Sequence, residues 1–222
     1  MIKRIVLSLI ILLLPATVIA AEKENLRPHW SLELKGGMYY PDLDQWSQFL
    51  GKNRLPQYAG TIAYKVLRQI EVGFEGGYIH DEGAGKALLH SQAAGTTVAA
   101  GSVTYEFFPL QAFVLVRGIF NEGQWIVPYV GGGWTRIYYR SKAEMQDTIK
   151  GSADGYHGRA GIQLLLDGLD ESAANGLFLD YGVHHTYLFF EAQVSRALIN
   201  TTAGESVNLG GTSFLAGLLF EF

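Results

Sequence analysis

Apolar and polar residues alternate at period two along most of this chain, the signature of strands with two unlike faces. Trp30-Ser31-Leu32-Glu33-Leu34-Lys35 is apolar on one side and polar on the other. Tyr58, Gly60, Ile62, Tyr64 and Val66 oppose Ala59, Thr61, Ala63 and Lys65. Ile70, Val72, Phe74 and Tyr78 oppose Glu71, Gly73, Glu75 and Gly77. The pattern predicts eight strands, at residues 30–35, 58–66, 70–78, 97–107, 127–139, 155–166, 177–190 and 209–222. Long polar connections at 41–57, 81–94, 141–154 and 191–208 alternate with those at 67–69, 109–124 and 167–176. The stretch 109–124 contains Phe113-Val114-Leu115-Val116, itself strand-like. A ninth strand would send the C-terminus to the wrong end, so 109–124 reads as a strand extension or a packed turn.

Long-then-short connections between strands of about ten residues fit an all-β fold, an eight-stranded antiparallel up-and-down transmembrane β-barrel. A soluble barrel also has one apolar face, so the polar face has to discriminate. That face is small or charged, suited to the narrow interior of eight strands and unlike a solvated surface. Glu33, Lys35, Lys65, Glu71, Glu75, Glu106, Arg136, Arg140, Arg159, Asp180 and His184 are therefore predicted to form an ion-paired network in the lumen. Trp30, Tyr39, Tyr40, Tyr78, Phe107, Phe108, Trp125, Tyr138, Tyr139, Tyr187, Phe189 and Phe190 fall near strand ends, where aromatic girdles meet the headgroups.

Composition narrows the class further. With 27 glycines, 17% charged residues and no cysteine, the chain is neither disordered nor disulfide-stapled, and a Cys-ligated zinc is excluded. A formal charge of −4 provides no basic excess for nucleic acid. Lys3 and Arg4, an apolar run over residues 5–14, and the small residues before Ala21 read as a secretory signal peptide over 1–20. Residues 21–222 are then the barrel, in one domain.

Phe214-Leu215-Ala216-Gly217-Leu218-Leu219-Phe220-Glu221-Phe222 alternates and ends on an aromatic. It resembles the terminal insertion signal of bacterial outer-membrane β-barrels. Pro128-Tyr129-Val130-Gly131-Gly132-Gly133 resembles a strand opening common among the small eight-stranded members, and the length is similar to the OmpW-like and PagL-like size class. The resemblance implies location in the bacterial outer membrane, contact with its lipid, and recognition of Phe214, Phe220 and Phe222 by the barrel-assembly machinery.

Candidate chemistry is sparse, and no metal or cofactor is expected. PagL-like lipid A deacylases carry a His and a Ser two residues apart. Here His80, His184 and His185 are followed at that spacing by Glu82, Thr186 and Tyr187. His90-Ser91 lies in a connection, and His80-Asp81-Glu82 reads as a solvated loop, with ion binding by its oxygen donors as the alternative. The expected role is structural or interactive, through the outer loops. The alternatives are a narrow channel or binding site for small hydrophobic molecules, suggested by Trp46, Phe49 and Leu50 in the first loop, and a lipid-modifying enzyme.

Overall fold

The structure is a computed structural model that describes residues 28–42, 53–86, 99–121, 123–143, 146–200 and 206–222. The proposed signal peptide, the Trp46-Phe49-Leu50 group and His90-Ser91 lie outside the described residues. The strands are β1 (Trp30–Pro41), β2 (Leu55–Lys65), β3 (Ile70–Lys86), β4 (Ala99–Arg117), β5 (Ile126–Ala143), β6 (Gln146–Leu165), β7 (His185–Asn200), β8 (Ser206–Asn208) and β9 (Gly211–Glu221). One helix, α1 (Glu171–Tyr181), joins β6 to β7.

From β1 to β7 each strand pairs antiparallel with the next, and β9 pairs with both β7 and β1. The three residues of β8 pair only with β7 and continue into β9, so the wall is a closed barrel of eight staves. Paired residues followed once around the wall run from Ser31 through Ala63, Gly73, Phe113, Gly133, His157, Ser195 and Gly211 to Pro41. The stagger from Ser31 to Pro41 tilts the strands by roughly 35–45° to the barrel axis. One end of the barrel is marked by the bond between Trp30 N–H and the Phe222 carbonyl, 3.1 Å, and by the turn after Lys65. The opposite end carries the connections after β1, β3, β5 and β7.

Several strands run further than the alternation indicates. Residues 81–86 extend β3, 141–143 extend β5, 146–154 begin β6, and 191–200 belong to β7 rather than to loops. The stretch 109–117 extends β4. Its Pro109 lacks an N–H, and the β3–β4 ladder passes from Gly76↔Leu110 to Ile79↔Phe107 without the two pairs between. Gly77 faces this proline; a Cβ there would stand 2.8 Å from Pro109 Cγ.

Residues 177–181, expected in a strand, are instead the second half of α1. Local chemistry explains the helix. Asp170 caps it by accepting from Ala173 N–H at 2.9 Å, and Gly182 ends it at φ 71°, donating to the Phe178 carbonyl. Asp167 pins the two flanks together through His185 Nδ1 at 2.7 Å and Thr186 N–H at 2.9 Å. No helix of the described residues is long and apolar enough to cross a membrane.

Candidate functional site

Strand parity decides which side chains enter the bore. On β1, β2 and β3 the outward positions are Leu32, Leu34, Ile62, Tyr64, Val72 and Phe74, all exposed. The inward positions are Ser31, Glu33, Lys35, Thr61, Lys65, Glu71 and Glu75, all buried. An apolar exterior surrounding a charged interior is the inverse of a water-soluble core.

Two charged clusters occupy the bore. Nearer the Phe222 end, Arg117 reaches Glu221, Glu71 (3.6 Å) and the Gln163 side-chain oxygen, while Lys65 pairs with Glu221 and Ser31 donates to Glu71. The Arg117 guanidinium also lies 5.4 Å from the Tyr187 ring. Further in, Lys35 Nζ contacts Glu75 at 2.6 Å, Glu191 at 3.1 Å and Glu33 at 3.2 Å. Arg159 holds Glu75 at 2.8 Å and Gln111 at 2.6 Å, with Glu191 at 3.7 Å. Tyr129 donates to Glu191 at 3.0 Å, Thr61 to Glu75 at 3.2 Å, and Gln193 to Gln111 at 2.6 Å. Two cations thus face three carboxylates, each anion held by at least one charged donor. This is the arrangement that buried charges require.

Toward the loop end the same inward parity turns apolar. Tyr39, Leu55, Ile79, Tyr105, Phe107, Ile137, Ala153 and Ala197 form one buried cluster, with Tyr139, Ile199 and Leu209 against it. Between this cluster and the charges lies a layer of neutral polar groups, including Ser213, which donates to Gln57 at 2.7 Å. A cavity of about 10 Å³ opens there among Tyr39, Gln57, Pro109, Ile137, Gln193 and Ser213, at the lower limit for one water.

Solved structures similar to this one include bacterial outer-membrane and surface proteins. The outer membrane protein OprG of Pseudomonas aeruginosa superposes with a TM-score of 0.57 at 13% identity, covering 88% of this chain and 97% of that one. The Neisserial surface protein A gives 0.54 at 8% identity, over 87% and 97%. Ail, the attachment invasion locus protein of Yersinia pestis, gives 0.51 at 10% identity, over 89% and 100%. The chain shares the fold of these small eight-stranded β-barrels. No family model matches it, and no curated protein matches it by sequence.

The barrel brings together Glu33, Lys35, Lys65, Glu71, Glu75 and Arg159 in its bore, and leaves four other expected members of the network, and Arg140, outside it. Glu106 faces outward on β4 because Tyr105 and Phe107 take the inward positions; it pairs with Arg140 at 3.8 Å, also outside the bore. Arg136 faces outward because Thr135 and Ile137 point in, and its fork grips Asp154 on β6 at 2.8 and 2.7 Å. Asp180 sits exposed on α1, which is a helix and not a lumen-lining strand. His184 precedes β7, exposed beside the Phe178 ring at 4.9 Å, and His185 lies at the Phe222 end of the barrel, away from the long loops. Of the terminal aromatics, Phe214 faces outward on β9, Phe220 is half-buried and Phe222 exposed.

Residues that the alternation did not single out complete both clusters: Arg117, Glu191 and Glu221, with Gln111, Tyr129, Gln163 and Gln193. Arg117 and Gln111 on β4 and Glu191 and Gln193 on β7 take inward positions once those strands are extended to their full length, whereas Glu221, Tyr129 and Gln163 lie inward on strands already expected. Among the described residues, no group of three or more His, Asp or Glu side chains is placed to hold a metal ion.

Proposed function

We propose that this chain is an integral protein of the bacterial outer membrane whose lumen is largely filled, with a structural or interactive role carried by its outer loops and no catalytic one. The observation that carries this reading is the Lys35–Arg159 cluster, which ties β1, β3, β6 and β7 together across the bore. Opening a path for ions would separate buried charges from their partners, a cost of several kcal/mol per ion. Planar-bilayer recording tests it: the folded protein shows no resolved steady conductance, and ohmic steps that scale with salt overturn the reading. Migration in detergent gels should shift on boiling, as the wall unfolds.

Export by the 1–20 segment, followed by insertion through Phe214, Phe220 and Phe222, belongs to the same proposal. Changing Phe222 to Ala should lower the yield of the unboiled, fast-migrating form in the outer membrane.

A second reading, uptake of a small hydrophobic molecule at the loop end, is favoured by one observation. The apolar cluster around Tyr39, Ile79 and Phe107 adjoins the ladder interruption beside Pro109. Displacement of a solvatochromic alkyl dye from the purified barrel, lost in Ile79→Trp, would favour this reading. Absence of any saturable binding sinks it.

A further inference from the structure

The charges left outside the bore form a pattern of their own. On the outer face of β5, Arg136 stands between Trp134 and Tyr138, with its guanidinium 5.4 Å from the Trp134 ring. Asp154, directly opposite on β6, is two residues from Tyr156, and Tyr156 is directly opposite Arg196 on β7. All three aromatic rings are exposed. In a lipid-facing wall such rings mark the headgroup level, so Arg136, Asp154 and Arg196 sit where lipid phosphates sit.

The local charge does not balance. Both Asp154 oxygens are taken by Arg136, through Nε at 2.8 Å and Nη2 at 2.7 Å. Arg196 is exposed and makes no ion pair among the described residues. The outward residues flanking it on β7 are Val194 and Leu198; β9 opposes this part of β7 with Thr212, and β8 with Asn208. Further toward the loops, Arg140 faces Glu106 at 3.8 Å. Among the described residues, the carboxylate beside Arg196 across the ladder is Asp154, opposite Leu198 and already engaged by Arg136.

We propose that Arg196 and Arg136 form a site for the phosphate-bearing headgroup of a membrane lipid on the outer wall of β5–β7. Asp154 and the Trp134 ring hold the Arg136 guanidinium in place through its Nε and Nη2 edge, beside Tyr138, and set its orientation at the headgroup level. Arg196 supplies the second donor fork, and planar guanidinium forks match phosphate oxygens in a way a lysine does not. The lipid's acyl chains would lie along Val194, Ile162 and Val130, exposed apolar side chains of the same three strands.

Native mass spectrometry of the full chain folded in detergent tests the site, with dioleoyl phosphatidic acid as probe and phosphatidylcholine and diacylglycerol as comparators. One phosphatidic acid should be retained per barrel, in preference to both comparators. Arg196→Gln should weaken retention about tenfold and Arg136→Gln by a similar factor, the size of one lost charge-assisted bond. Lys142→Gln should leave retention unchanged, and Arg196→Lys should keep part of it. These side chains face out of the wall, so each variant should keep its fast unboiled migration. Equal retention of phosphatidylcholine, or retention indifferent to Arg196→Gln, overturns the proposal. Displacement by millimolar inorganic pyrophosphate also overturns it, assigning the site to a soluble anion.

Discussion

The half of the bore nearer Phe222 and the half nearer the long loops use the same inward positions but opposite chemistry. In the first, Glu33, Lys35, Glu75, Arg117, Arg159 and Glu221 meet as ion pairs. In the second, Leu55, Ile79, Phe107 and Ile137 pack as an ordinary apolar core. Outside the wall the order reverses: Ile62, Phe74 and Val114 cover the first half, and Arg136, Arg140, Glu106 and Asp154 appear around the second. A strand keeps its parity from end to end, whereas the medium touching its outer face changes from hydrocarbon to headgroup and water. Once the exterior can be polar, the interior is free to be apolar.

The sharpest break of that contrast comes from removing a charge in the first half. Arg159→Ala leaves Glu75 and Glu191 facing Lys35 alone, three carboxylates to one cation with Glu33 included. A loss of about 3–5 kcal/mol is expected, from an uncompensated buried charge. Urea unfolding of the protein in vesicles, followed by tryptophan fluorescence, measures it. A loss under about 1 kcal/mol would mean that water enters the bore and solvates the cluster. In the second half, Leu55→Ala removes a fully buried side chain from the apolar cluster. The expected loss is about 2–5 kcal/mol, set by how far the neighbours collapse into the cavity.

The same contrast explains what could be read in the sequence. β1, β2 and β3 were legible because their alternating runs lie mostly within the apolar band, where polarity and facing coincide. Glu106 and Arg136 misled for the opposite reason: they sit where the wall leaves hydrocarbon, and a charge there is stable facing out. Arg117 was hidden because Phe113 and Leu115 inside and Val114 and Val116 outside make β4 apolar on both faces. The alternation carries no signal until Arg117 and Gln111 are read as the two polar ends of one inward row. Glu191 was lost to a supposed loop, although Phe189, Glu191 and Gln193 share one face of β7. Residues 177–181 alternate poorly, and the cues that mattered were Asp170 at the start of the helix and Gly182 at its end.

The smallest expected effect lies at the boundary, where Ser213 donates to Gln57 at 2.7 Å beneath the apolar cluster. This is a neutral pair, so removing one member should cost about 1 kcal/mol, largely from leaving the Gln57 amide oxygen without its donor. Replacing both, as Ser213→Ala with Gln57→Leu, substitutes apolar groups for a matched pair. That change should be close to neutral, provided the leucine fits the space beside Tyr39. The same exchange one layer down, at Gln111 and Gln193, should not be tolerated, because Gln111 also accepts from Arg159 at 2.6 Å. A double mutant cycle at each layer therefore locates the border between the two media inside the bore. If the Ser213–Gln57 replacement proves as damaging as the one at Gln111, the polar half extends further toward the loops than the cluster around Leu55 indicates.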